Sequence, residues 1–119
     1  MKHILYLTLF VCILLGSCQT SKEPNKLYEE GISLELAQLR KQEIKELKYG
    51  LHFSIPEQKQ KAVEGEVRIQ FVIQKPQEII LDFRESADKV KEVSVNGQPT
   101  EYAFLNEHII LPKASTIEG

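Results

Sequence analysis

Two long runs of alternating apolar and polar residues dominate the middle of the chain. Apolar residues or glycine occupy every second position from Leu47 to Ile55 and again from Gly65 to Ile73, with mostly polar residues between them. A period of two is typical of a β-strand with one buried face. A polar loop over residues 56–62 separates the runs, so we predict a long antiparallel hairpin. Strands of this length suit a broad, curved sheet.

A short helical pattern precedes the hairpin. Ser33 is a good N-cap residue, and Ile32, Leu36 and Leu39 share one helical face. The helical period stops near Glu43. We therefore predict one short helix at the N-terminal side of the sheet.

Shorter strand patterns follow the hairpin. Asn96-Gly97 predicts a type I′ turn, because both residues accept a positive φ. Further strands are predicted over residues 79–84 and 108–111. One strand is also predicted on each side of the Asn96-Gly97 turn, with Tyr102 and Phe104 on the return strand. The fold class is therefore mainly β, an antiparallel sandwich- or saddle-like sheet with one short N-terminal helix. The segment after Pro112 stops before another pairing strand forms, so we expect a C-terminally truncated sheet.

The N-terminus has the pattern of a secretory signal. Lys2 and His3 precede an apolar run over residues 4–15, and small residues follow it. The run is shorter than the roughly 20 apolar residues that span a bilayer. A buried core helix fits poorly, because the run has no amphipathic face and leads into polar sequence.

The end of this run resembles the lipobox of bacterial lipoproteins. Leu15-Gly16-Ser17-Cys18 places small residues before a cysteine, and the resemblance implies that Cys18 becomes the lipid-carrying N-terminus. A cysteine at this place by chance is the alternative. Gln19 at the next position favours the outer membrane of a Gram-negative cell, by the same resemblance. We therefore predict a signal peptide over residues 1–17, a polar tether over residues 18–32 and a β domain over residues 33–119.

Composition narrows the function classes. The 119 residues carry a formal net charge of -2, with 42% hydrophobic and 27% charged residues. These values are typical of a globular domain and exclude a strongly basic nucleic-acid binder. Cys12 leaves with the signal and Cys18 takes the lipid, so the mature chain has no internal disulfide to form.

Candidate chemistry is sparse. His52 and His108 do not lie at metal-ligand spacing, and we interpret each as solvated or locally hydrogen-bonded. Asp82, Arg84 and Glu85 are interpreted as a surface ion pair or a cap on the next turn. The basic stripe that begins at Arg40 and Lys41 is interpreted as a solvated face. No catalytic, metal or substrate-binding residue is therefore assigned. The aromatic side chains expected to face the core are Tyr49, Phe53, Phe71 and Phe83.

The order of segments resembles the N-terminal β domain of aminopeptidase N-like zinc metallopeptidases, especially lipid-anchored members from Bacteroides-type bacteria. The family's motif order, Y-x-L-x-F-x-I, G-x-V-x-I-x-F, I-x-L-D-F-R and V-x-V-N-G, is present here. The matching stretches are residues 32–40, 47–56, 63–71, 79–84, 90–97 and 108–112. The family's G-x-M-E-N motif and its H-E-x-x-H zinc helix belong to a later domain and are absent from this chain.

The resemblance implies a non-catalytic domain that packs beside the active site and helps enclose the cleft. Zinc would belong to the full-length enzyme and not to this chain, which we expect to be an inactive fragment on its own. The implied partners are the missing catalytic domain of the same polypeptide and the membrane, reached through the Cys18 lipid. The alternative is a free-standing envelope lipoprotein whose β domain binds a protein or glycan.

Overall fold

The computed structural model describes residues 25–116, which form antiparallel sheets and one α-helix and confirm the predicted mainly β fold class. The helix α1 spans Leu34–Glu43. The strands are β1 (Ile44–Ser54), β2 (Glu64–Ile73), β3 (Ile79–Asp82), β4 (Ser94–Val95), β5 (Gln98–Pro99), β6 (Ala103–Leu105) and β7 (His108–Leu111). Single 3₁₀ turns occur at Lys26–Tyr28, Ala87–Lys89 and Lys113–Ser115.

The helix begins and ends where the sequence pattern predicts. The Ser33 hydroxyl accepts a hydrogen bond from the Leu36 amide at 3.1 Å, which satisfies one of the free N–H groups of the first turn. Leu36 is the buried residue of the helix, and Leu39 is half-buried. Ile32 is 61% exposed, so its assignment to the buried face is wrong. The chain passes directly from α1 into β1.

The predicted long hairpin is present as β1 and β2. The two strands pair antiparallel with Leu51 opposite Val67. The register shifts by one residue between Lys45 and Lys48, and Glu46 has a φ of 53°. Such a β-bulge interrupts the alternation. The alternating pattern therefore begins only at Leu47, whereas β1 itself begins three residues earlier, at Ile44.

A second sheet supplies three of the four residues of the buried core cluster, and β2 supplies the fourth. The strand order of this sheet is β3-β7-β6, with β7 in the centre and both pairings antiparallel. Phe83 and Phe104 pack against this core. Their two rings contact each other edge to face, with centroids 6.3 Å apart. The buried core residues are Ile73, Ile79, Ile109 and Leu111.

The Asn96-Gly97 turn is present, but its hairpin is smaller than predicted. Asn96 and Gly97 have φ values of 52° and 79° and connect the two-residue strands β4 and β5. Tyr102 and Phe104 do not lie on the return strand of this hairpin. Phe104 lies in β6 and faces Ile109 of β7. A second two-residue turn explains the difference, since Asn106 and Glu107 also adopt positive φ and join β6 to β7.

Candidate functional site: an uncovered sheet face and a buried polar cluster

The apolar face of the long hairpin is uncovered in the part of the chain that the structure describes. We name this surface the hairpin face; Tyr49 and Phe53 on it are 62% and 56% exposed. The prediction that these two aromatic residues are core is therefore wrong for residues 25–116, whereas Phe71 and Phe83 do pack on the core. The members of the hairpin face are Leu47, Tyr49, Leu51, Phe53, Ile55, Val63 and Val67.

A contiguous exposed apolar patch on a soluble domain marks a surface that binds another surface. The alternation that predicts burial also predicts a covering layer on this side of β1 and β2. The elements that could supply a cover, α1 and β3, reach only the base of the hairpin.

At that base a groove of about 440 Å³ lies between the hairpin face, the end of α1 and β3. Its walls are mainly aliphatic and aromatic, and its polar groups are few, as is typical of a surface for an apolar ligand or segment. The lining residues are Arg40, Lys41, Ile44, Leu47, Tyr49, Val67, Ile69, Phe71, Ile80, Leu81 and Asp82.

Arg40 and Asp82 form a two-pronged ion pair beside this groove. Arg40 Nη1 lies 2.8 Å from Asp82 Oδ2, and Nη2 lies 2.7 Å from Oδ1. Nη2 also donates to the Ile80 carbonyl at 2.7 Å. The pair therefore joins the last turns of α1 to β3. The interpretation of Arg40 as a solvated cation and of Asp82 as a partner of Arg84 is wrong.

Asp82 also meets His108, which is completely buried. His108 Nδ1 lies 3.2 Å from Asp82 Oδ1 but does not form a hydrogen bond of regular geometry with it. His108 Nε2 is 2.8 Å from the Glu29 carbonyl oxygen. His108 is thus neither solvated nor locally bonded; it connects β7 to a segment 79 residues earlier.

The environment of Asp82 lowers its pKa. Burial alone would raise the pKa, but the hydrogen bonds and charge of Arg40, together with His108, favour the carboxylate more strongly. The Arg40–Asp82–His108 cluster connects α1, β3 and β7, with the ion pair between Arg40 and Asp82. Its contacts are internal, which is typical of a structural cluster.

The residues just before α1 form hydrogen bonds with residues next to the strands of the second sheet. The Tyr28 hydroxyl donates to the Glu78 carboxylate, and Asn106 Nδ2 donates to the Tyr28 carbonyl at 2.7 Å. The hydrogen bond to Glu78, with burial and the Glu78 charge, raises the pKa of Tyr28 to about 12. These residues belong to the second half of the predicted tether, and that half contacts the β domain.

The remaining site predictions are placed as follows. Cys18 and the predicted signal peptide lie outside the described residues. His52 is exposed on β1 and His108 lies on β7, in a different sheet. Within residues 25–116, no group of three or more His, Cys, Asp or Glu side chains could hold a metal ion. The same residues contain no helix with the length and apolar character needed to span a bilayer.

Comparison of the chain with family models, curated proteins and solved structures finds no match. The resemblance to aminopeptidase N-like domains therefore stays a prediction based on the order of segments. The Arg40–Asp82–His108 cluster was not predicted from the sequence. Its one sign in the sequence is the charged residue Asp82 at the end of an apolar strand, and nothing in the sequence identifies the partners of Asp82.

Proposed function

We propose that this chain supplies the non-catalytic N-terminal domain of a lipid-anchored zinc aminopeptidase, an enzyme that removes N-terminal residues from peptides. In this proposal the domain packs beside the catalytic cleft and helps enclose it. The zinc ligands and catalytic residues belong to another domain of the same polypeptide. A lipid on Cys18 holds the protein in the cell envelope, at the outer membrane of a Gram-negative bacterium.

The observation that carries the proposal is the uncovered hairpin face. Full burial of a Leu, Val or Phe side chain contributes about 1.5–3 kcal/mol relative to exposure. Tyr49, Leu51 and Phe53 are each more than half exposed, so a layer packed on them gains several such contributions. A domain that packs against a larger neighbour requires such a face.

A second observation supports the hairpin face as the surface to which the catalytic domain attaches. The groove continues the hairpin face to the base of the hairpin, where Lys41 and the Arg40–Asp82 pair supply a polar rim. An apolar centre with a polar border is the usual anatomy of a protein–protein interface. The opposite face of the hairpin carries the charged residues Lys48, Glu64, Glu66 and Arg68, as expected of a solvated surface.

The test uses the protein made by the source cells. An antibody raised against residues 33–119 is used to isolate the native protein from membranes, and its mass and aminopeptidase activity are measured. We expect a polypeptide much larger than 119 residues whose activity is lost with a zinc chelator and restored by zinc. Sequencing the transcript past the Gly119 codon should then show G-x-M-E-N and H-E-x-x-H in the same frame.

A native product with the mass of this chain and no peptidase activity would overturn the proposal. It would favour the alternative of an envelope lipoprotein whose hairpin face binds a separate partner. As a control, the isolated chain should bind no stoichiometric zinc and cleave no aminoacyl substrate. Tight one-to-one zinc binding by the isolated chain would contradict the assignment of zinc to another domain.

A further inference from the structure

The long hairpin has two outer edges, and within residues 25–116 neither edge pairs with a third strand. An unpaired edge presents a row of free backbone N–H and C=O groups that can pair with another strand. The edges belong to β1 and β2, and they differ in how well they are protected.

The β1 edge has features that oppose pairing. The bulge between Lys45 and Lys48 breaks the regular ladder, and Glu46 holds a positive φ there. Bulges and lysine side chains are the usual protection of an exposed edge. The β2 edge lacks these features, because the extra residue of the bulge belongs to β1 and β2 contains no lysine.

The charged residues of β2 are complementary to those of a second copy of β2 that runs in the opposite direction. If two copies of β2 pair antiparallel around a twofold axis at Val67, Glu66 of each copy lies opposite Arg68 of the other. Glu64 then lies opposite Gln70, and no like charges face each other. Shifting the axis to Glu66 or to Arg68 places like charges opposite, which is unfavourable.

The apolar side of the strand fits the same register. The antiparallel pairing keeps paired residues on one face, so Val67 meets its own copy, and Val63 lies opposite Phe71. In the single chain, Glu66 and Arg68 are 3.4 Å apart and 66% and 73% exposed, so their mutual attraction is weak. Both side chains are therefore available to the second copy.

We propose that a second copy of this chain binds along the outer edge of β2, forming a four-stranded antiparallel sheet with its twofold axis at Val67. The proposal goes beyond the proposed function and does not rest on it. It uses the edge of β2, whereas the proposed catalytic domain would cover the hairpin face. The twofold axis is perpendicular to the sheet, so the hairpin faces of the two copies lie on the same side of it.

Disulfide trapping of the full-length protein in its own membranes tests the pairing. Val67→Cys places two thiols beside the twofold axis, within the roughly 7 Å between Cα atoms that a disulfide allows. The matched control is Leu51→Cys, because Leu51 lies opposite Val67 in the hairpin and is similarly exposed at 63% against 54%. In the proposed dimer the two Leu51 positions are three strand spacings apart, about 14 Å. The unsubstituted protein is the control for any crosslink that forms through Cys12 or Cys18.

We expect mild oxidation to crosslink the Val67→Cys protein at least about five times more than the Leu51→Cys protein, because only the paired Val67 positions lie within reach of a disulfide. Adding Arg68→Glu should reduce this crosslink several-fold, and adding Glu66→Arg as well should restore it. Equal crosslinking of the two cysteine variants would overturn the proposal. Crosslinking that ignores the charge changes would overturn the register. The mass of the reduced protein on the same gel tests the proposed function separately.

Discussion

The ion pair between Arg40 and Asp82 supports a quantitative prediction. Arg40→Met keeps most of the apolar stem but removes two hydrogen bonds to Asp82 and one to the Ile80 carbonyl. Hydrogen bonds to charged groups contribute about 1.5–3 kcal/mol when buried, while exposed ion pairs contribute at most about 1 kcal/mol. The Arg40 and Asp82 side chains are 25% and 35% exposed, so solvent screens part of the interaction. We expect a loss of about 2 kcal/mol in the free energy of unfolding, between these limits.

The assay is urea unfolding followed by circular dichroism, because the chain has no tryptophan. The matched control is Arg84→Met, which removes the same kind of side chain from an ion pair with Glu107. That pair is 4.0 Å long and Arg84 is 87% exposed. We expect the control to change the free energy of unfolding by less than about 0.5 kcal/mol. If Arg40→Met does not fold, Arg40→Lys keeps the charge while removing the two-pronged geometry.

The pH dependence distinguishes an ionic contribution from lost packing. The pKa of Asp82 is lowered in the folded chain relative to about 3.9 in an unfolded one. The Arg40–Asp82 contribution is therefore fully present above the unfolded pKa and is lost as the pH falls through the folded pKa. The difference between the parent chain and Arg40→Met should be constant at neutral pH and shrink on acidification below about pH 4. A difference independent of pH, or one equal to that of Arg84→Met, would refute the reasoning.

Three further outcomes follow from individual positions. Glu107 has a φ of 65°, so Glu107→Gly should stabilise the chain by about 0.5–1 kcal/mol in urea unfolding, because glycine adopts positive φ without a Cβ clash. Leu36 is 1% exposed and Leu34 is 68% exposed, so Leu36→Ala should destabilise by about 2–5 kcal/mol and Leu34→Ala by less than about 0.5 kcal/mol in the same assay. Cys18→Ala should block lipidation and signal removal, and unchanged processing and membrane partitioning of this variant would contradict the lipoprotein prediction.

Local pattern predicts the elements of this fold better than it predicts their surroundings. The Ser33 cap, the Asn96-Gly97 turn and the β1–β2 hairpin depend on neighbouring residues, and the structure contains all three. The bulge at Glu46 was missed, since no glycine marks it and the residue takes positive φ without a sequence sign. The Asn106-Glu107 turn was also missed, because Asn106 favours positive φ but Glu107 is not a typical turn residue, and the pairing of β6 and β7 was missed with it.

The polar cluster shows why long-range partners escape sequence reasoning. Asp82 and Arg84 are two residues apart, so a local ion pair is the simplest interpretation. In an extended strand, however, residues i and i+2 point the same way without converging, while a helix packed on the sheet can bring Arg40 directly to Asp82. His108 is buried because β7 is the central strand, and strand order depends on pairing across the whole chain. Neither fact is encoded in spacing along the sequence.

The hairpin face depends on both local pattern and long-range packing. Alternation correctly predicts which side chains share a face of β1 and β2, but whether that face is buried depends on what packs against it. On a two-stranded ribbon open to solvent on both sides, large apolar residues such as Tyr49, Leu51 and Phe53 provide only cross-strand contacts, which polar β-formers such as threonine also provide. A regular apolar period therefore has a physical reason only if another layer covers the face. For this reason the exposed side of the hairpin, rather than any polar cluster, is the strongest guide to what the domain does.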